Sequence, residues 1–341
     1  MADSGLILSH SGEESDSRPR WSSMHHSVNH GSLEVIKEIL DRKDQLICNV
    51  KEMKSGTTLI DAGVECEGSI ELGRLIGETC LGGLGAVRIT RMFVGDLDLP
   101  AVIVSVEHPM IGTLASQYAG WKIRVGKKYA LGSGPARALA RVEKDLYSEI
   151  GYQDVSKKSV IVLETREVPN DEVTEHIANR CGITPSNLYC IVVPTASIAG
   201  KVQIASRIVA VGFHKLRKFG FDLKRIRRGH GVAPIAPLVN DDDTIAMGVT
   251  NDCIRYGGRV FYHVRTDGDD LRETVEKLPS SISSQYGQRF YDLFKAVDFD
   301  FYRLAPLLFG PAEATFNHIE SGKIYSAGAL NHDFLRKSLG I

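Results

Sequence analysis

Apolar positions along the chain repeat at two spacings, which predict helices and strands. Leu33, Ile36, Ile39 and Leu40 lie one to three residues apart on one helical face, so we expect a helix that begins at Ser32. Further helices are predicted over residues 69–79, 135–141, 171–181, 202–219 and 270–278. Strands are predicted over residues 57–61, 86–93, 101–106, 129–134, 159–164, 188–193 and 259–264, with a hairpin over 314–327.

The order of these elements indicates the fold class. Helices and strands are mixed without strict strand–helix–strand alternation, which is typical of an α+β (mixed α/β) protein. The 341 residues are enough for roughly two domains of about 150 residues each. Residues 1–27 are rich in Ser, Glu and His without apolar periodicity, and we expect a flexible N-terminal extension there. Residues 28–341 then form one folded unit, and composition marks no boundary inside it.

The charge balance narrows the choice of partners. Lys and Arg number 41 against 42 Asp and Glu, and this net charge of -1 argues against a dedicated nucleic-acid-binding protein. The apolar runs are far shorter than the roughly 20 residues of a membrane-spanning helix, and no secretory signal is seen. The six cysteines form no CxxC pair, which favours buried thiols in a reducing compartment. We therefore expect a cytoplasmic protein without membrane or nucleic-acid partners.

Several common catalytic motifs are incomplete. Gly83-Leu84-Gly85 and Gly132-Ser133-Gly134 lack the third glycine of a dinucleotide-binding loop. Gly200-Lys201 resembles the end of a phosphate-binding P-loop, but Val202 stands where that loop needs Ser or Thr. Neither GxSxG nor HExxH occurs. The three histidines among residues 25–30 are expected to be exposed rather than to bind a metal, so no metal site is predicted.

Five short segments rich in small residues have two interpretations. They either form tight turns and close contacts between elements, or line a cleft in which backbone N–H groups meet a polar ligand. The step Gly200-Lys201 at a helix start would suit an anionic group. The segments are residues 82–85, 132–136, 195–200, 233–237 and 256–258.

A longer series of segments, taken in order, carries a family resemblance. The segments are residues 56–58, 61–65, 80–84, 108–109, 117–121, 132–138, 194–200, 233–237, 250–252, 256–258, 299–302 and 309–312. With these segments the chain resembles the methenyltetrahydromethanopterin cyclohydrolases from about residue 33 to its C-terminus. The substrate-binding candidates that the segments supply are Gly83, Ser133, Gly134, Thr195, Ser197, Gly200, Lys201, Asn251 and Asp252.

The resemblance implies a fold, an assembly and a reaction. It implies a two-lobed α+β subunit with a tetrahydromethanopterin-type pterin in the cleft between the lobes, assembled as a homotrimer. The implied reaction of one-carbon metabolism is hydrolysis of 5,10-methenyltetrahydromethanopterin to the 5-formyl form, without a metal or redox cofactor. In that family a Glu on the helix after residues 195–200 serves as general base, and an Arg three residues before it tunes the base. Such a pair lies on one helix face.

This sequence departs from the family pattern at the base. The arginine is present as Arg207, but Ala210 stands three residues later, and a methyl group cannot accept a proton. Val249 also replaces an arginine of the family pattern. His214 lies on the same helical face as Ala210, and Glu164 ends a buried strand. Both are candidates for a substitute base, beside packing or ion-pair roles.

Two functions of different classes therefore stay open. The first is an active cyclohydrolase with a relocated base or slower chemistry. The second is a pterin-binding paralogue that has lost this reaction and acts as a carrier, a sensor or a catalyst of different chemistry. A missing base costs about 10²–10⁴-fold in rate, so turnover of the wild type discriminates the two.

Overall fold

The computed structural model describes residues 26–126, 128–238, 241–266 and 270–341. Its strands are β1 Asn49–Glu52, β2 Thr58–Asp61, β3 Gly85–Val94, β4 Leu97–Val106, β5 Trp121–Val125, β6 Lys128–Ser133, β7 Ser159–Glu164, β8 Leu188–Val192, β9 Ile226–Pro234, β10 Arg259–Val264, β11 Glu313–His318 and β12 Ile324–Gly328. Most of residues 1–27, the predicted extension, lie outside the described residues.

Helices lie between most of these strands. The α-helices are α1 Val28–Asp41, α2 Ile70–Cys80, α3 Ala136–Ala140, α4 Lys144–Ile150, α5 Asp171–Cys181, α6 Ile198–Ala205, α7 Ile208–Lys218, α8 Asp243–Gly257, α9 Leu271–Glu276, α10 Phe290–Lys295 and α11 His332–Leu339. A π-helix spans Met110–Gln117. Short 3₁₀ turns cover Pro185–Asn187, Leu223–Arg225, Ser280–Ile282, Phe301–Arg303 and Pro306–Leu308.

The first sheet is mixed and is covered on both faces. Its strand order is β1-β2-β8-β7-β6-β5, with β2, β8 and β7 parallel. On β7, Val160 and Val162 pack with α1 and α2, whereas Ile161 and Leu163 pack with α5. A strand buried on both faces reads as a continuous apolar run, which is why residues 159–164 predict it correctly.

The second sheet has the order β12-β11-β10-β9-β4-β3, and only the β10–β11 pair is parallel. Alternate residues of β4 and β10, such as Val104 and Tyr262, pack against Ile208 and Phe213 of α7. Ile103 on the opposite face of β4 is exposed. With helices and two mixed sheets, the predicted α+β class is confirmed.

Capping residues explain why several predicted helices are found. Ser69 accepts a hydrogen bond from Leu72 N at the start of α2, and Asn170 does the same for Val173 N in α5. Gly182, at a φ of 69°, ends α5 in the left-handed region. Helix α1 begins four residues before the predicted Ser32, because Ser27 caps it. The hairpin prediction is also confirmed, since β11 and β12 pair antiparallel.

The predicted continuous helix over residues 202–219 is wrong. The chain forms α6 and α7, separated by Ser206 and Arg207. Ser206 Oγ donates to Gln203 O at 2.6 Å, and the carbonyl of Ser206 accepts from Gln117 Nε2 at 3.1 Å. These two hydrogen bonds engage the carbonyls of Gln203 and Ser206 at the end of α6. The side chain of Gln117, from a distant segment, therefore stabilises the break between α6 and α7.

Four α-helices, namely α4, α8, α10 and α11, and the π-helix were not predicted from the sequence. In α8, residues 246–257 are all buried, so no polar face alternates with an apolar one. The π-helix over residues 110–117 follows Pro109 and is also largely buried. Asn251 and Asp252, which the sequence suggested lie in a ligand loop, are therefore in the middle of a buried helix.

Candidate ligand-binding site

A cavity of about 310 Å³ lies where α6, α7 and α8 meet the segment after the π-helix and residues 301–309. Its walls are mostly apolar and aromatic, and they include Ile254, Phe301 and Phe309. Arg207, His214 and Asn251 contribute polar atoms. Such a combination of an apolar wall and few fixed polar groups is typical of small-molecule sites.

Arg207 is the most heavily bonded polar residue of the cavity wall. Its Nη1 donates to Gln117 O at 2.7 Å. Its Nη2 donates to Glu164 Oε1 at 2.6 Å and to Gln203 Oε1 at 3.0 Å, and lies 3.3 Å from Ser133 Oγ. Because these hydrogen bonds hold the nitrogens of Arg207, its guanidinium cannot swing away from the cavity. The group is therefore held in place before a ligand arrives.

The partner of Arg207 is the carboxylate at the end of β7. The side chains of Arg207 and Glu164 are only 13% and 6% exposed. A charge buried to this degree needs a close partner of opposite charge. Arg207 and Glu164 are such partners for each other. The structure thus joins two of the residues that the sequence proposed for catalysis.

Three polar side-chain atoms beside this pair have no hydrogen-bond partner among the described residues. They are Gln117 Oε1, Gln203 Nε2 and Arg207 Nε, and all three are buried. Buried polar atoms are normally satisfied by protein, water or ligand. The polar corner around Arg207 therefore holds one acceptor and two donor groups for which the described residues supply no partner.

Ala210 and Arg207 line the same cavity, with Arg207 at the N-cap of α7 and Ala210 three residues later. Arg207 precedes the first residue of α7, with φ -79° and ψ 1°, so the pair spans the helix start rather than its interior. Ala210 is 4% exposed and presents a methyl group to the cavity wall. This placement of the Ala210 methyl group agrees with the expectation that position 210 supplies no base.

His214 lies one turn beyond Ala210 and also lines the cavity. Its ring stacks on Tyr118 with centroids 4.0 Å apart, and its Nε2 has no partner among the described residues. Burial, followed by the nearby Arg137 and Arg217, lowers the pKa of His214 to about 3. The ring is therefore neutral at pH 7, and it is a weak base there.

Arg137 lies behind Tyr118, a residue of the cavity wall. Its fully buried guanidinium donates to Leu114 O at 3.1 Å and to Ser116 O at 3.0 Å in the π-helix, and pairs with Glu143 at 2.8 Å. It also lies 5.0 Å from the ring centroid of Tyr118. The π-helix and the Tyr118 ring are thereby held in one position relative to α3.

The substrate-binding candidates are placed unevenly around this cavity. Asn251 lines it, with its Nδ2 bonded to Met247 O at 2.8 Å, and Ser133 reaches it through Arg207. Gly134 N donates to Ser116 O at 2.9 Å, so that residue supports the π-helix. Thr195 is buried, 4% exposed, in the loop before α6.

The remaining candidates have contacts that explain them structurally. Ser197 accepts from Gly200 N at 3.0 Å and caps α6. Lys201 is fully buried and donates to Pro237 O, and burial lowers its pKa. Gly83, at a φ of 67°, packs against the backbone of α1. The small residues at these positions serve close packing between elements.

Asp252 takes part in a buried ion pair rather than lining the cavity. Its Oδ1 accepts from Arg255 Nη1 at 3.0 Å, and its other oxygen accepts from Ser338 Oγ at 2.7 Å. Phe290 N also donates to it at 3.1 Å. Desolvation raises the pKa of Asp252 to about 6. These contacts join α8, α10 and α11.

Other cavity residues were not proposed from the sequence as ligand-binding. Tyr302 lines the cavity, donates to Ala119 O at 2.7 Å and has Lys122 Nζ 3.9 Å from its ring centroid. Lys218 lies at the end of α7 and also lines the cavity. The segment containing Tyr302 was part of the family resemblance, and that was the available signal.

Two features are absent from the described residues. None of the helices among them is long and apolar enough to cross a membrane. The same residues contain no group of three or more His, Cys, Asp or Glu side chains arranged to hold a metal ion. The cysteines are free thiols in the described structure.

The geometry defines an α+β protein with a pre-arranged small-molecule site. Comparison with known families is more specific: the cyclohydrolase (MCH) family model matches residues 27–339, and the chain belongs to that family.

Curated relatives cover almost the same length. The chain is 44% identical over 317 residues to the methenyltetrahydromethanopterin cyclohydrolase of Methanosarcina barkeri. It is 43% identical over 319 residues to that of Methanococcus maripaludis and 42% identical over 316 residues to that of Methanococcoides burtonii. Each alignment covers 92% of this chain and 98% of the relative. The resemblance that the sequence suggested is therefore confirmed.

Proposed function

We propose that this chain hydrolyses 5,10-methenyltetrahydromethanopterin to the 5-formyl form. The observation that carries the proposal is the Arg207–Glu164 pair fixed at the polar corner of the cavity. The relatives that bear the cyclohydrolase name share over two-fifths of their residues with it. A cavity of about 310 Å³ with aromatic walls suits part of a flat heterocycle.

The reaction needs a positioned water and a proton acceptor. Water adds to the methenyl carbon and loses one proton to a base. The remaining hydroxyl proton is transferred to N10 as the C–N10 bond breaks, which leaves the formyl group on N5 and an N–H at N10. The amidinium carbon is already electrophilic, so we propose that no metal or redox cofactor takes part. Glu164 is the proposed acceptor of the proton, and Arg207 holds it in position at 2.6 Å.

A second function is favoured by one specific observation. Ala210 places a methyl group on the cavity wall between Arg207 and His214. If Glu164 stays fully engaged by Arg207, the site binds a pterin but lacks a free base. The chain then acts as a pterin-binding paralogue, a carrier or a sensor without cyclohydrolase turnover.

The remaining expectations from the sequence belong to the same proposal. We propose a homotrimer in the cytoplasm, with the pterin bound between two lobes of each subunit. Membership of the cyclohydrolase family supports a protein that acts on a small molecule. Partners other than the pterin and further copies of the chain are not proposed.

One experiment tests both functions. Purified wild type, Ala210→Glu and Ala210→Gln are mixed with methenyltetrahydromethanopterin, and loss of the methenyl absorbance is followed. Loss well above the buffer rate in the wild type supports the active enzyme, with Glu164→Gln expected to abolish it. Activity that appears only in Ala210→Glu supports the binding paralogue. No loss in any protein and no binding by calorimetry would contradict the pterin site itself.

A further inference from the structure

The last residue of the π-helix contacts both residues of the break between α6 and α7. The side chain of Gln117 donates from Nε2 to the carbonyl of Ser206 at 3.1 Å. Its main-chain carbonyl accepts from Arg207 Nη1 at 2.7 Å. Gln117 is fully buried, so water does not compete for either hydrogen bond. One residue therefore holds two consecutive residues, and the second of them carries the guanidinium of the polar corner.

The end of the π-helix is a rigid support for these contacts. A helix leaves its last carbonyls without partners inside the helix, and here distant segments supply the donors. The carbonyls of residues 114–116 accept from the side chains of Arg137 and Tyr147 at 2.8 to 3.1 Å. The carbonyl of Gln117 comes next and accepts from Arg207. Because the carbonyls before it are held, Gln117 is fixed in place, and Arg207 is positioned against it.

The carbonyl of Ser206 decides whether α6 continues into α7. In an uninterrupted helix it would accept from the N–H four residues later, at Ala210. In this chain it accepts from Gln117 Nε2. Arg207 stands before the first residue of α7, and from there its Nη2 reaches Glu164 Oε1 at 2.6 Å. The amide of Gln117 thus takes the place of a helical donor and keeps Arg207 where it meets Glu164.

Loss of the Gln117 amide would allow the break to close. The Ser206 carbonyl would then bond the N–H of Ala210, and the chain would wind from α6 into α7 as one helix. Each helical residue turns the chain by about 100°, so even partial rewinding rotates the Arg207 side chain away from Glu164. Displacing a group that orients the reacting atoms by about 1 Å can cost about 10²-fold in rate.

We infer that Gln117 is a positioning residue for the Arg207–Glu164 pair. The inference rests on the proposed function, in which Glu164 accepts a proton from the attacking water. Gln117 is not among the residues that line the cavity in the described structure, so it acts through Arg207. Its removal therefore slows the chemical step and leaves the apolar wall that contacts the pterin, such as Ile254 and Phe309, in place.

Gln117→Met tests this role, because it removes the donor and keeps the length of the side chain. In the methenyl-absorbance assay we expect kcat to fall by about 10–100-fold, with KM within about threefold of the wild type. Unchanged kcat would overturn the inference, and so would a rise in KM alone, because that result would place Gln117 in binding. Gln117→Leu, which is smaller, replaces the methionine variant if that protein does not fold.

Thr113→Val is the matched control in the same π-helix. Thr113 is fully buried, and its Oγ1 donates to Pro109 O at 2.5 Å. The valine variant therefore also loses one buried hydrogen bond to a backbone carbonyl, but this bond lies at the other end of the π-helix from Arg207. We expect its kcat to stay within about twofold of the wild type. Equal falls of kcat in Thr113→Val and Gln117→Met would indicate a general loss of structure and overturn the inference.

Crystal structures of the two variants separate this inference from the proposed function. In Gln117→Met we expect Arg207 and Glu164 to lie beyond hydrogen-bond distance, about 3.5 Å, and Ser206 O to accept from Ala210 N. In Thr113→Val the Arg207–Glu164 contact should be kept. An unchanged contact in Gln117→Met would overturn the inference whether or not the protein is active. A wild type without turnover would contradict the proposed hydrolysis, and these structures would then decide the inference by themselves.

Discussion

The guanidinium of Arg207 and the carboxylate of Glu164 lie 2.6 Å apart although 43 residues separate them in sequence. One belongs to the break before α7 and the other to the end of the central strand β7. The contact thus joins the helix that lines the cavity to the first sheet. The strength of the Arg207–Glu164 contact decides how firmly the side chains of the polar corner are held in place.

Replacing Glu164 tests that strength. Glu164→Gln keeps the shape but leaves the buried Arg207 without its charge partner, so the free energy of unfolding is expected to fall by about 2–4 kcal/mol. Denaturant unfolding followed by circular dichroism measures the change. Glu149→Gln is the control, because its pair with Arg217 is more exposed and should be worth under about 1 kcal/mol. Equal losses in both variants would contradict a firmly held corner.

The low pKa of His214 predicts an acid-sensitive fold. The pKa is about 3 in the folded chain against 6.5 for an ordinary histidine, so the unfolded chain binds the extra proton between these values. Above pH 6.5 the titration of His214 does not reduce the free energy of unfolding. As the pH falls from 6.5 toward 3, this free energy decreases by about 1 kcal/mol per pH unit.

His214→Phe removes the titration, and its unfolding free energy should fall less between pH 7 and pH 5 than that of the wild type. His176→Gln, at an exposed position, is the matched control for the loss of a histidine. If wild type and His214→Phe lose stability in parallel over this range, the ring is not held neutral in the folded state.

Gly200 is expected to be indispensable for packing at the start of α6. A Cβ at this position would lie 2.0 Å from Pro194 O, a backbone atom that cannot move alone. Gly200→Ala should therefore lower the unfolding free energy by about 1–3 kcal/mol or prevent folding. Gly220→Ala is the comparison: its φ is +74°, but nothing lies near the added Cβ, so only the backbone cost of about 1 kcal/mol applies. A larger loss in Gly220→Ala would be evidence against the steric explanation.

Asp252 and Asn251 are neighbours with different expected roles. Asp252→Asn breaks the buried pair with Arg255 and should lower the unfolding free energy by about 3 kcal/mol while leaving the affinity for pterin within about twofold. Asn251→Ala, at a residue that lines the cavity, should instead weaken pterin binding with a smaller effect on stability. Thermal unfolding and calorimetry on the same samples distinguish the two. Loss of affinity in Asp252→Asn without loss of stability would restore it as a binding residue.

Local signals made much of the fold predictable. The apolar run of β7 and the capped, glycine-terminated α5 needed only neighbouring residues to be recognised. The break before Arg207 depends on a hydrogen bond from Gln117, 89 positions away from Ser206, and no local pattern contains it. Helix α8 was missed for a different reason, because burial on every side leaves no period to detect.

The candidate site was predictable in composition but not in arrangement. Arg207 could be named because the family resemblance implies an arginine on the helix after residues 195–200, and Glu164 because it ends a buried strand. Their pairing required the three-dimensional contact. Asp252 was named for its place in a family segment, and the structure shows its carboxylate bonded to Arg255. A sequence motif identifies residue types, whereas tertiary contacts decide which of them lie on the cavity.

The two-residue break between α6 and α7 also fixes the rotation of one helix against the other. Each residue of an α-helix turns the chain by about 100°, so one residue inserted at the break would swing α7 through that angle. Ala210 and His214 would then leave the cavity wall, while α6 and its capping loop kept their places. The spacer between the helices thus sets both where α7 begins and where Arg207 stands on the cavity wall.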